Sequence, residues 1–305
     1  MPRACILLFI AVAAAFVACS NHRPATDLIV YEASDGSATN VYTMNPSGTE
    51  RRQLTFNKSF DGNPAWSPDH KQIVFSSDRG GPKNDLYVMD AGGGAVRRAT
   101  DTPDASEFSP KFSPDGSTIA YVRDAPAGWT IWIMDPQGSA QQQLAGPYKF
   151  AEFPTWSPDS KQLYYSAIQA QPNPARGDVN AHIYSVDLQS HTVRTRIQTT
   201  GADSCPHFSH DGSRLTYASS ADGSEQSLTI FAHDVASNDT TGAADIALTQ
   251  GTERDDYPNP SPDDSKLVFI SDRDGNAELY VMDRGGENQR RLTNTPDLRE
   301  NVPDW

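Results

Sequence analysis

The chain has 305 residues, and its 39 acidic and 25 basic side chains give a formal net charge of −14 at pH 7. Such an excess of negative charge repels phosphate groups, which argues against nucleic-acid binding and against electrostatic attachment to anionic lipid. Single compact cores of this length are uncommon, so one continuous domain requires an architecture that distributes its core.

The N-terminus has the features of an export signal. Arg3 precedes an apolar run over residues 6–17, which matches the length of a signal-peptide core. The run is too short to span a bilayer as a helix. We therefore predict a signal peptide over residues 1–18 and an exported protein.

The end of this run resembles the lipobox of bacterial lipoproteins. In "FVACS" (16–20) the resemblance assigns Cys19 as the lipidated residue and the first residue of the mature chain. Phe16 stands where Leu is usual, so cleavage by the ordinary signal peptidase is the alternative. Ser20, rather than Asp, resembles the signal for outer-membrane sorting. We predict a lipidated Cys19 and a short linker over residues 19–27, so that a lipid anchor would be the chain's membrane attachment.

From residue 28 onward the chain repeats. Similar tetrapeptides, each with a proline at its second position, recur at intervals of 44 to 52 residues: "NPAW" (63–66), "SPKF" (109–112), "FPTW" (153–156), "CPHF" (205–208), "YPNP" (257–260) and "VPDW" (302–305). We call Pro64, Pro110, Pro154, Pro206, Pro258 and Pro303 the key prolines. Their spacing is the period of propeller blades.

Each repeat is predicted to hold four strands. A key proline marks the first, or inner, strand, and five of the six are followed by a Ser-Pro-Asp type of turn: "SPDH" (67–70), "SPDG" (113–116), "SPDS" (157–160), "SHDG" (209–212) and "SPDD" (261–264). Proline presets φ in such a turn, and Ser and Asp bond nearby backbone groups. β-Branched and aromatic segments follow, such as "QIVFSS" (72–77) and "DLYVMD" (85–90), and then a short fourth strand.

The two ends of the repeat region complement each other. The N-terminal end offers a second, third and fourth strand, "LIVYEAS" (28–34), "NVYTMN" (40–45) and "RRQLT" (51–55), without a first. The tail "NVPDW" (301–305) supplies a first strand, with Trp305 as a core residue. We predict an all-β fold over residues 28–305, a six-bladed β-propeller of four-stranded blades closed by pairing the C-terminal strand with the N-terminal strands. The alternative is an open array with a frayed terminal repeat.

The repeat also resembles a known family. "NPAWSPDHKQIVFSSDRGGPKNDLYVMDAGGGAVRRAT" (63–100) and "LVFISDRDGNAELYVMDRGGENQRRLT" (267–293) resemble the WD40-like repeat of the TolB propeller family of the bacterial cell envelope. The resemblance implies a periplasmic, protein-binding role, with a peptidoglycan-associated lipoprotein or another envelope component as the partner. The α/β domain that precedes the propeller in that family is expected to be missing, since only residues 19–27 lie between the lipobox and the first strand.

The loops before the inner strands are acidic. A carboxylate lies a few residues ahead of each key proline, and together these predict a ring at the channel mouth: Asp61, Glu107, Glu152, Asp203, Asp255 and Glu300. Several carboxylates so close together must raise their pKa values, bind a divalent cation or accept hydrogen bonds from backbone amides. One interpretation is that each caps its own turn. The other is that the ring binds a cation or a basic partner.

The sequence offers little for an enzyme. No Gly-x-Ser-x-Gly elbow occurs, and the histidines lack metal-ligand spacing. His207, on an inner strand beside the channel, is the single weak candidate for a metal ligand. We predict a non-catalytic protein-binding scaffold without a resident cofactor. The alternative is a periplasmic propeller enzyme, similar to sugar-acid lyases or lactonases, with a metal at the channel mouth.

Overall fold

A computed structural model describes residues 27–170, 180–220 and 227–305. The predicted signal peptide and Cys19 lie outside these ranges. Over the described ranges the chain forms 23 β-strands in five sheets. No helix in the same ranges is long and apolar enough to cross a membrane.

The strands follow each other along the chain in sheet order. The first three are β1 (Ile29–Ser34), β2 (Thr39–Met44) and β3 (Arg52–Gln53). The next sheet holds β4 (Asp61–Trp66), β5 (Gln72–Ser77), β6 (Asp85–Asp90) and β7 (Arg97–Arg98). A larger sheet holds β8 (Ser106–Phe112), β9 (Ile119–Ala125), β10 (Gly128–Met134), β11 (Gln142–Trp156), β12 (Gln162–Gln169), β13 (His182–Asp187) and β14 (Val193–Ile197). Two further sheets hold β15 (Asp203–Phe208), β16 (Arg214–Ser219), β17 (Thr229–Asp234) and β18 (Ile246–Ala247), and then β19 (Asp255–Pro260), β20 (Lys266–Ser271), β21 (Glu278–Asp283) and β22 (Arg290–Arg291). The last strand is β23 (Arg299–Asp304).

These sheets form an all-β propeller of four-stranded blades. Four of the five described sheets have four antiparallel strands each. The fifth has seven, because the long strand β11 pairs with β10 through its first half and with β12 through its second half. Apolar side chains from neighbouring sheets pack face to face, as where Val30 and Val41 meet Trp66 and Phe75. The core therefore lies between successive blades.

The two ends of the chain share one sheet, in the order β23-β1-β2-β3. Val30 pairs with Asp304, and Ser34 pairs with Arg299. Trp305 is 6% exposed and belongs to the apolar cluster that contains Ile29. The predicted pairing of the C-terminal strand with the N-terminal strands is confirmed.

The five Ser-Pro-Asp turns have the predicted structure. In each, the serine Oγ donates to the Asp Oδ1 at 2.6–2.8 Å. The same Oγ accepts the backbone N–H five residues further on at 2.9–3.0 Å. The serine bond lowers the pKa of each aspartate. The turn thus joins the inner strand to the second strand in a fixed register.

A bulge, which the sequence pattern did not predict, interrupts every inner strand just before its key proline. The residue before each proline has a left-handed φ between 44° and 53°: Asn63, Ser109, Phe153, Cys205, Tyr257 and Val302. The pairing of each inner strand with its neighbour shifts register around these points. A bulge inserts one unpaired residue and changes which face the following side chains occupy. A left-handed φ is unfavourable for a β-branched residue such as Val302, so the surrounding structure must impose it.

Deleting residues 301–305 tests whether closure stabilises the ring. The deletion exposes an edge of β1 and removes the buried indole of Trp305, and losing a large core side chain alone costs about 3–5 kcal/mol. We expect a clear drop in the denaturation midpoint, measured by circular dichroism in urea. Val193→Ala, at an exposed site on β14, should stay within about 0.5 kcal/mol of the wild type. A truncated chain as stable as the wild type would mean that the closing strand contributes nothing.

Candidate functional site

The strand registers define two faces of the propeller. β4 begins at Asp61, opposite Ser77, and ends at Trp66, opposite Ile73. The loops that precede the inner strands therefore lie at one end of the channel, which we call the loop face. The Ser-Pro-Asp turns lie at the other end, which we call the turn face.

One side chain per inner strand lines the middle of the channel. Each is the residue after the key proline: Ala65, Lys111, Thr155, His207, Asn259 and Asp304. Although the backbone repeats, these six side chains are chemically all different. The channel wall is therefore asymmetric, with a cation, an imidazole and a carboxylate at defined positions.

Asp304 is the most connected of these groups. Its carboxylate forms an ion pair with Lys111, accepts Asn259 Nδ2–H at 2.8 Å and accepts the backbone N–H of Trp66 at 2.8 Å. Burial alone would raise the pKa of Asp304, but Lys111 and the hydrogen bonds outweigh burial and lower it. Asp304 is therefore a carboxylate at neutral pH, and it joins inner strands from four sheets.

His207 lies beside this ion pair. Its Nδ1 is 3.4 Å from the carbonyl oxygen of Cys205. Burial, together with the charge of Lys111, lowers the pKa of His207 to about 3, so the ring is neutral at physiological pH. Residues 27–170, 180–220 and 227–305 contain no group of three or more His, Cys, Asp or Glu side chains that could hold a metal. Within those ranges, His207, the weak metal candidate, is therefore not part of a set of three such side chains.

The channel is divided into two cavities. Phe153 and Tyr257 meet edge to face with ring centroids 4.9 Å apart, although β15 lies between their strands in the chain. Both rings line a cavity of only about 30 Å³. Toward the turn face the channel widens into a cavity of about 360 Å³. Lys111, His207 and Asp304 line both cavities.

The predicted acidic ring is not an open ring. Five of its six carboxylates are at most 2% exposed, and Glu152 alone is partly exposed. Asp61, for example, accepts hydrogen bonds from Ser77 Oγ at 2.6 Å, Arg79 Nη2 at 2.7 Å and Asn57 Nδ2 at 2.8 Å. The buried members thus have a structural role, as in the first interpretation, but they bond side chains of their own blade as well as groups of the preceding loop.

The same kind of bond recurs around the ring. Glu107 accepts Arg123 Nε–H at 2.9 Å, and Asp255 accepts Arg273 Nη2–H at 2.9 Å. Asp203 differs, because it bonds Thr199 Oγ1 at 2.7 Å and His182 Nδ1 at 2.9 Å. These contacts use the carboxylate oxygens inside the blades and correct the expectation that they face a partner.

The arginines in these pairs were missed from the sequence. The guanidinium of Arg79 lies over Phe75 and Tyr87, about 5 Å from each ring centroid. The same arrangement places Arg123 over Tyr121 and Trp132, and Arg273 over Phe269 and Tyr280. Two of these arginines could have been found from the repeated "SDR" at 77–79 and 271–273. In both repeats the arginine follows the second strand of a blade whose inner strand begins with an aspartate.

In the blade of Glu300 no arginine follows the second strand, and the arginine comes instead from the segment before β3, where Arg51 lies over Tyr31 and Tyr42. Gly36 stands where Arg79 stands in the next blade, and Arg51 instead approaches Glu300, with Nη2 3.3 Å from Oε1. No side chain in the described part of the chain bonds the second oxygen, Oε2. Burial, together with the charge of Glu278, raises the pKa of Glu300.

Glu32, at the contact between β1 and β4, is another buried carboxyl group whose pKa is raised. Its Oε2 accepts the backbone N–H of Asn63 at 2.7 Å. Burial raises the pKa of Glu32 to about 7, although hydrogen bonds from Asn63 and Asn301 oppose the shift. The protonated form of Glu32 therefore fits the folded protein best.

Glu32→Gln should change how stability depends on pH. Unfolded Glu32 ionises near pH 4.5, whereas folded Glu32 keeps its proton until about pH 7. The stabilising contribution of the protonated group is therefore complete below pH 4.5 and is lost as pH rises to 7. Because Gln resembles the protonated acid, the variant should gain stability relative to the wild type across this window, by about 3 kcal/mol at most.

Urea denaturation at pH values from 4 to 8 measures this difference. Glu50→Gln, at an exposed turn, is the matched control and should follow the wild-type profile. Parallel profiles for Glu32→Gln and the wild type would show that Glu32 does not carry the pH dependence.

Comparisons with known proteins agree with this architecture. The family model of the TolB β-propeller domain matches residues 10–175 and 177–303. An uncharacterized protein of Agrobacterium fabrum, Atu1656, is 27% identical over 240 residues, which cover 75% of this chain and 74% of that protein. The crystal structure of TolB from Acinetobacter baumannii superposes with a TM-score of 0.77 at 20% identity, covering 93% of this chain and 67% of that chain, which shows the fold alone.

A second relative, which is named as a peptidase, matches this chain over only a small part of the relative's own length. The uncharacterized peptidase YuxL of Bacillus subtilis is 26% identical over 189 residues, which cover 62% of this chain but only 26% of that protein. The similarity to YuxL is thus confined to about a quarter of the larger protein. The family match, by contrast, extends over most of the present chain, which belongs to the TolB β-propeller domain family.

Proposed function

We propose that this protein is a non-catalytic, protein-binding propeller of the bacterial cell envelope. Membership of the TolB β-propeller domain family supports a propeller used for recognition. By resemblance to that family, the partner is a peptidoglycan-associated lipoprotein or another envelope protein. The acidic net charge of −14 favours a partner with a basic contact surface.

The main support for the proposal is the exposure of the aromatic side chain of Phe56. This side chain is 77% exposed, the largest exposed fraction among the large apolar residues of the described ranges. It lies between β3 and β4, in a loop-face segment. Aromatic side chains that insert into a partner commonly contribute most to protein–protein binding, and partner binding would remove Phe56 from water.

The proposal includes a ring of six blades. We infer that the seven-stranded sheet comprises two blades that share β11 as a continuous strand, since its two halves pair with different neighbours. The left-handed residue before each of the six key prolines supports one inner strand per blade. Six blades place Phe56 at the rim of a closed loop face.

The proposed location is the periplasmic side of the outer membrane. It depends on residues outside the described ranges, the leader over 1–18 and the lipobox-like "FVACS" with Cys19. A single lipid-modified cysteine with its diacylglyceryl and N-acyl chains would hold the propeller at the membrane surface.

Site-specific crosslinking in living cells tests the binding face. A photoreactive amino acid at position 56 should give a discrete crosslinked product, to be identified by mass spectrometry. Position 96 is the matched control, because Val96 is 41% exposed but follows a turn on the turn face. No product at position 56, or the same product at both positions, would exclude the loop face as the binding surface.

Replacing Cys19 tests the anchor. Cys19→Ala should abolish incorporation of labelled palmitate and leave the protein soluble in the periplasm or unprocessed. Cys205→Ala is the control, since Cys205 is a buried free thiol within the propeller. Equal membrane association of the Cys19→Ala variant and the wild type would exclude lipidation at this residue.

A further inference from the structure

The turn-face cavity is a second candidate site, at the end of the channel opposite Phe56. Its volume is about 360 Å³, within the range of small-molecule sites. About half of its lining residues are apolar, and they include Trp66, Phe112, Trp156 and Trp305 together with three prolines of the Ser-Pro-Asp turns. Lys111, His207 and Asp304 supply most of its charged and ionisable groups.

Hydrogen-bond donors are in excess in this cavity. Asp304 already accepts bonds from Lys111, Asn259 and the backbone of Trp66, so each of its oxygens has at least one donor. Lys111 carries three N–H donors, and its single side-chain partner in the described ranges is Asp304. The Lys111 side chain remains 24% exposed. The ammonium group thus has donors left for an acceptor that enters the cavity.

The tryptophans supply an independent observation. The indole N–H of Trp66 donates to the carbonyl of Leu28, and that of Trp156 donates to the carbonyl of Lys111, both at 3.0 Å. Trp305 occupies the corresponding position in its own strand and is 94% buried, yet its Nε1–H has no partner within the described ranges. A buried donor without an acceptor is costly, which is why such groups are rare in folded proteins.

A partly exposed histidine at the rim of the cavity, His70, also has a ring nitrogen that is unpartnered within the described ranges. Nδ1 of His70 is buried and has no partner among the described residues. The neutral wall residue His207 adds no positive charge that would compete with Lys111 for an anion. The cavity therefore combines an aromatic and proline-containing wall with the unused N–H donors of one cation, Lys111, and the indole N–H of Trp305, which is unpaired within the described ranges, belongs to one of its lining residues.

We propose that the turn-face cavity binds a small organic acid, with its carboxylate at Lys111 and its apolar body against the aromatic wall. A carboxylate can accept from the free N–H groups of Lys111. An apolar body of suitable size is favoured because it removes indole and proline surface from water. This site is separate from the loop face, so it does not depend on the proposed protein-binding function.

A matched pair of probes tests the chemistry on the wild-type protein. 4-Phenylbutyrate carries both an apolar body and a carboxylate, whereas 4-phenylbutan-1-ol carries the same body without charge. We expect saturable quenching of tryptophan fluorescence by the acid, and binding of the alcohol at least 10-fold weaker. No saturable binding of the acid at millimolar concentrations, or equal binding of acid and alcohol, would overturn the proposal.

Two variants should shift the affinity in opposite directions. Lys111→Met removes the cation and should weaken binding of 4-phenylbutyrate at least 10-fold. Asp304→Asn removes the charge that competes for Lys111 and should tighten binding several-fold. A general loss of structure would weaken binding in both variants, so tighter binding by Asp304→Asn is specific to the proposed site.

A second ion pair provides the control. Lys266 and Asp283 are paired at 2.7 Å on a different part of the surface, and neither lines the cavity. Lys266→Met and Asp283→Asn should leave the affinity unchanged. Unchanged affinity in a folded Lys111→Met variant would overturn the assignment. If that variant does not fold, the comparison of 4-phenylbutyrate with 4-phenylbutan-1-ol on the wild-type protein tests the assignment instead.

Discussion

The pairing of β23 with β1 is the constraint on which the rest of the ring depends. The two strands come from opposite ends of the described chain, and they complete a four-stranded blade only together. Their contact also places Asp304 in the channel wall, where it bonds Lys111 on β8, Asn259 on β19 and the backbone of β4. The strand that closes the ring therefore also supplies the central carboxylate of the channel. A ring that opened at β23 would lose the carboxylate that organises its centre.

Much of this architecture could be predicted because its signals are local. Ser-Pro-Asp turns have defined backbone preferences, and strands between such turns follow from β-branched and aromatic residues. The pairing of the chain ends could also be predicted, because the N-terminal end has a second, third and fourth strand without a first, and the C-terminal end supplies a first strand. These features depend on residue type and spacing, which the sequence displays directly.

The orientation of the acidic residues could not be predicted in the same way. Asp61 lies four residues before Ala65, so a regular strand would place both on one face. The left-handed residue Asn63 adds a bulge between them, and one extra residue reverses the alternation. Glu107, Asp203, Asp255 and Glu300 have the same spacing to their channel residues and are likewise buried. Glu152 lies only three residues before Thr155 and is the partly exposed member. The bulge thus determines which carboxylates are exposed to solvent, and no residue pattern in the sequence predicted it.

The same bulges explain how a repetitive backbone can carry a non-repetitive channel. Each bulge places the residue after the key proline at the channel wall, whatever its side chain. The turns and aromatic residues around it maintain the fold, so this position is free to vary in chemistry. In this chain the six positions include one cation and one carboxylate, which pair, and one imidazole that burial keeps neutral. Because Phe153 and Tyr257 narrow the channel between its two ends, the loop face and the turn-face cavity can differ in what they bind without either constraining the other.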